Sequence, residues 1–112
     1  MKEILEKITR EINAEDESTF MYNLHYNGFF DENKFNVLLD DVEKYMDNSE
    51  IRKDNKIIAG IFELFLHTIF LCYCSETGED SYKIKNSKPI AHDVISDYYL
   101  KMRMVVDKIK NQ

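Results

Sequence analysis

Apolar side chains recur along this chain mainly at spacings of three and four, the signature of helices with one buried face, and alternate in a single short stretch. Ile4, Leu5, Ile8 and Ile12 define the inner face of a helix expected over about 2 to 14, with Lys2, Glu6, Lys7, Arg10 and Glu11 on its polar face. Glu15-Asp16-Glu17-Ser18 supplies N-caps for a second helix that carries Phe20, Met21 and Leu24 inward, presents Tyr22 and Tyr26 on its other face, and stops at Gly28. Asp31 caps a third, over about 32 to 47, whose stripe is Phe35, Leu38, Leu39, Val42 and Met46. At about 100° per residue, Asn36, Asp40, Glu43 and Asp47 fall in one row beside that stripe.

The segment from about 51 to 75 is apolar in nearly every direction, broken only by Lys56, Gly60, Glu63 and His67. It is long enough to raise a membrane span, but Glu63 and His67 near its middle are costly in hydrocarbon, so it reads as a central core helix wrapped by the others, with Phe62 and Phe65 pointing into the packing. Gly78 closes it within a polar loop, and Tyr82-Lys83-Ile84-Lys85 alternates as a short extended piece would. Pro89 suits the first turn of a last helix running to about 110, in which Ile95, Tyr98, Met102, Val105 and Ile109 form a 3,4,3,4 seam. That seam suits packing within the chain, and Leu100 and Met104 lie on the opposite side. The expected fold is an all-α, single-domain bundle of about five helices around the apolar helix at about 51–75, spanning residues 1–112.

Composition agrees: 44% hydrophobic and 32% charged residues, with 3 Gly and 1 Pro, describe a packed domain with few tight turns. Cys72 and Cys74, within the apolar run, are no disulfide framework and read as reduced core residues. The charged N-terminus has no apolar stretch of signal-peptide length, so a cytoplasmic location is expected. Net charge is −6, with the acidic excess in the first half and a basic excess after residue 81, which disfavours nucleic acid as a partner.

Candidate chemistry is sparse. Glu63 and His67, four apart on one helix, lack the further ligands of a closed metal site, and Cys72 and Cys74, two apart, point in nearly opposite directions on a helix. A Cys–His nucleophilic pair using His25, His67 or His92 has no recognised sequence context, and 3 Gly make no phosphate-cradling loop. No cofactor, metal or catalytic residue is therefore expected. The acidic row Asp40, Glu43 and Asp47, extended by Asp41 and Glu50, and the pair Tyr22 and Tyr26 have instead the composition of a surface directed at a basic protein: carboxylates steer the encounter and tyrosines supply contact area. Asp97-Tyr98-Tyr99 resembles the acidic-then-paired-tyrosine segment of colicin immunity proteins, and the small, acidic, helical character is similar to that of bacterial immunity proteins generally, including those of contact-dependent inhibition systems. That resemblance implies a cytosolic antidote that binds and neutralises a basic toxin, such as a nuclease, with no activity of its own; no site residue is carried over from it, and the chain is expected to be a monomer. The alternatives are a helical oligomerisation or regulatory module using the last-helix seam, and a small helical enzyme or metal-binding bundle.

Overall fold

The computed structural model describes residues 1–77, 82–86 and 92–110. Among these are five helices and no strand: α1 Lys2–Ile12, α2 Phe20–Asn27, α3 Glu32–Asp47, α4 Asn55–Thr77 and α5 His92–Lys110. The helix α1 lies between α3 and α4, α2 leans on α4, and α5 packs mainly along α3. Gly78 and Pro89, as well as the side chains of His92 and Ile95, lie outside the described residues.

Local chemistry explains where the helices begin and end. The hydroxyl of Thr19, one residue beyond the expected cap cluster Glu15-Asp16-Glu17-Ser18, accepts the backbone N–H of Tyr22 and caps α2. One residue on, the carboxylate of Glu11 accepts the N–H groups of Phe20 and Met21 at 2.7 and 3.0 Å. Glu11, expected on the polar face of the first helix, is in fact buried, because two otherwise orphaned donors at a helix start need a negative acceptor. Gly28 ends α2 in the left-handed conformation at φ 61°, and a Cβ there would stand 2.5 Å from the Lys83 carbonyl oxygen. Asp31 caps α3 through the Lys34 N–H. The apolar helix begins at Asn55, four residues later than its composition suggests, since residues 51–54 form a cap: Asp54 donates its N–H to the Tyr45 hydroxyl and accepts from Lys56.

Residues 82–86 keep the alternation seen in the sequence, Ile84 buried between exposed Lys83 and Lys85, but form no strand. One backbone bond, Lys85 N–H to Gly28 C=O at 2.6 Å, and the two-way amide pairing of Asn86 with Phe30 at 2.8 and 2.9 Å fasten the segment to the end of α2. The Tyr82 hydroxyl donates to the Leu24 carbonyl.

The core holds Ile8, Phe20, Leu24, Phe35, Val42, Tyr45 and Ile61, each at most 1% exposed. The α5 seam closes it: Tyr98, Met102 and Val105 are buried against α3. Among the described residues, α4 is wrapped on one side only. Gly60, Ile61, Leu64, Phe65, Thr68 and Leu71 face inward, with Gly60 so close to α1 that a Cβ would meet Ile12 at 2.6–2.9 Å. Phe62, expected inside, is half-buried, and Leu66, Ile69, Phe70 and Tyr73 are 40–66% exposed. Gly60 thus belongs to the helix contact and not to a polar stripe.

Two phenylalanines on one helix test this asymmetry. In urea unfolding of the single chain at high dilution, Phe65→Ala should cost about 3–5 kcal/mol and Phe70→Ala less than about 0.5 kcal/mol, and equal losses would refute the one-sided packing. A second test concerns Glu11, whose pKa burial raises against the opposing pull of its two backbone hydrogen bonds. The folded state therefore holds this proton more tightly than the unfolded state, so the contribution of Glu11 to stability is complete below the ordinary value of 4.5 and is lost as pH rises through the raised folded value. Glu11→Gln should remove that part of the pH dependence of the urea midpoint, whereas Glu11→Ala should cost about 1–3 kcal/mol by orphaning the Phe20 and Met21 donors.

Candidate functional site

The acidic row emerges on the outer side of α3, with Asp40, Glu43 and Asp47 all exposed. Helix α5 brings a cation to it: Lys108 Nζ lies 2.9 Å from both Asp47 carboxylate oxygens and 3.5 Å from Glu43 Oε1. Hydrogen bonding to Asp47, followed by the nearby charges, holds the Lys108 pKa above its ordinary value. The row is thus partly neutralised from within, a pairing 61 residues apart that helix periodicity has no means of showing. Asp40 and Glu43 line a groove of about 460 Å³ between α3 and α5, whose other walls include Leu39, Lys101, Met104 and Val105. Met104 is 61% exposed, so carboxylates and an accessible apolar side chain share this surface. Asp41 does not join it. It is buried and turns toward a second cavity, between α1 and α3, that also takes in Lys7 and Lys34.

Tyr22 and Tyr26 pack ring against ring at 4.8 Å on α2, Tyr22 half-buried and Tyr26 65% exposed. Tyr26 lines a cleft of about 550 Å³ between α2 and α4, together with His25, Glu63, His67 and Phe70. Among the described residues none lines both this cleft and the acidic groove, so the two halves of the surface that the sequence groups face different clefts.

The cleft holds one arrangement invisible to sequence reasoning. His25 Nδ1 and His67 Nε2 are 2.8 Å apart, their rings 5.0 Å centroid to centroid, and the edge of Tyr26 meets His25 at 4.6 Å. A hydrogen bond between two imidazoles requires that one nitrogen keep its lone pair, so the pair resists double protonation. Burial, and then the charge of His25, hold the His67 pKa below its ordinary value. Glu63 stands on the same wall, but among the described residues no three His, Cys, Asp or Glu side chains converge as a metal site requires. Burial, with a smaller push from Glu76, raises the Cys72 thiol to about 11, which leaves it protonated and a poor nucleophile at neutral pH. The chain matches no protein-family model, no curated protein and no solved structure.

The histidine pair carries a pH prediction of sign opposite to that of Glu11. Because the folded-state pKa of His67 is depressed, its contribution is present above the ordinary value of 6.5 and is lost as pH falls from there through the folded value. The urea midpoint should therefore drop between pH 7 and 5 in the parent and drop less in His67→Gln, and parallel profiles for the two would dismiss the pair as a stabilising contact.

Proposed function

We propose that this chain is a cytoplasmic protein-binding domain that neutralises a basic toxin domain, acting as an antidote with no activity of its own. The groove between α3 and α5 carries the reading. Asp40 and Glu43 stand exposed beside the accessible Met104, with Lys101 on the same groove and Asp47 exposed further along α3, which gives one surface both attraction for a cation-rich partner and an apolar foothold once contact is made. A net charge of −6 adds to the steering. A nuclease, obliged to present positive charge to its own substrate, is the type of toxin that such a surface fits. A partner broad enough to reach α2 also engages Tyr22 and Tyr26, whose rings act on residence time and not on encounter.

Lys108 decides how the reading is tested. Reversing Glu43 and Asp47 to lysine would crowd cations around Lys108 and disturb the α3–α5 contact, so the informative substitutions are Asp40→Lys and Lys108→Ala. The reading requires that a basic toxin domain be encoded beside this chain, and such a domain is the probe, measured for association rate and for survival of cells that produce it. Asp40→Lys should slow association several-fold and weaken its salt dependence, whereas Lys108→Ala, by unmasking two carboxylates, should accelerate it. Tyr22→Ala with Tyr26→Ala should speed release and leave association unchanged. A toxin domain that neither binds the parent chain nor is silenced by it would end the proposal, and slower binding in both charge variants would reduce the groove to a structural role.

A further inference from the structure

We propose that the uncovered face of α4 is a self-association surface, on which a second copy of this chain packs its own α4. The apolar positions on the outer side of this helix, four exposed and Phe62 half-buried, are not scattered. Ala59, Phe62, Leu66, Ile69 and Tyr73 follow at spacings of 3, 4, 3 and 4, the seam along which two helices interlock side chains, and Phe70 flanks it. Leu66, Ile69, Phe70 and Tyr73 are 66, 40, 56 and 57% exposed, while Gly60, Ile61, Leu64, Phe65 and Leu71 occupy the opposite side within the fold. The α5 seam packs within the chain as expected, whereas α4, expected to be wrapped by the other helices, keeps a seam of its own on its outer side. The α5 seam is consumed by Tyr98, Met102 and Val105 packing inside the chain, and the α4 seam is left bare.

Area and charge together select the occupant. With each large side chain presenting roughly 150–200 Å² when fully exposed, the seam, Phe70 and the neighbouring Tyr99 offer roughly 500 Å² per copy, or roughly 1,000 Å² across a symmetric pair, the least that a specific interface buries. An exposed apolar area of that size is at the upper end for a monomer. Between residues 57 and 75 the only Asp, Glu, Lys or Arg is Glu63. A basic partner finds almost no charge complement here. A second copy, itself at −6, is repelled from the acidic face of α3 but meets little repulsion along α4. A bilayer fits less well, since 44% of the helix's apolar window is already buried against its own chain. The pairing leaves the groove between α3 and α5 free, so it goes beyond the proposed function and stands or falls apart from it.

Light scattering on the full chain at about 10 to 100 µM should give twice the 13.4 kDa chain mass, with dissociation on dilution. Leu66→Glu with Tyr73→Glu should return the mass to that of one chain while the far-ultraviolet spectrum stays helical, because both side chains are more than half exposed. Leu100→Glu, on the outer side of α5, should leave the pair intact. A parent mass of 13.4 kDa across that range overturns the proposal. So does a pair that survives the double variant or is lost in Leu100→Glu, and so does a one-chain species that binds neutral phosphatidylcholine vesicles through α4.

Discussion

Four rings, from Phe20, Phe30, Phe35 and Tyr98, meet with centroid separations between 4.6 and 5.6 Å, mostly edge to face, and the placement of every element except α1 and α4 is referred to them. They come from α2, from the loop after Gly28, from α3 and from α5, segments that share no local reason to be adjacent. Edge-to-face aromatic geometry adds about 0.5–1.5 kcal/mol per pair to the area each ring buries, and it fixes orientation as well as proximity. Phe30 is held in the cluster by the Asn86 clamp, which couples the docking of residues 82–86 to the same core. Helix α5 approaches α4 less closely, with a cavity of about 340 Å³ bounded by Ile69, Tyr73, Tyr98 and Tyr99 between them. Its position along α3 therefore rests on Tyr98, Met102 and Val105, and that position sets Lys108 over Asp47 and Met104 beside Asp40.

The acidic groove is thus a consequence of core packing. The aromatic cluster and the seam beneath it dictate which turn of α5 faces which turn of α3, and the surface charges follow. The internal cation has two effects at once: it relieves repulsion among neighbouring carboxylates, and it lowers the field that the row presents to a partner. Exposed ion pairs of this kind contribute little to stability, so the pairing matters more for the electrostatic surface than for the fold.

Helix α4 serves two surfaces with one apolar sequence. Its inner side accepts α1 at Gly60, where the absent side chain lets Ile12 approach, and its outer side repeats apolar residues where a solvated helix ordinarily carries charge. Burial on one side is enough to stabilise a helix of this length, which leaves the composition of the other free to serve association.

The number and order of the helices, the α3 stripe and the α5 seam were written in the spacing of apolar residues, and the caps at Asp31 and Gly28 in the residue types at the helix ends, because these features depend on neighbours within a few positions. Other features depend on which helices meet. Glu11 is hydrophilic and sits on the expected polar face, yet it is buried because the start of α2 comes to rest on it. Asp41 and Asp40 are adjacent and chemically identical, and only the crossing of α1 and α5 over α3 turns one inward and leaves the other beside the groove. His25 and His67 are 42 residues apart, and Lys108 and Asp47 are 61 apart, so neither pair leaves a periodic trace. The apolar run of α4 foretold a helix but not its bare side: hydrophobicity records what avoids water, whereas the number of elements available to cover a helix is settled only when the chain is packed.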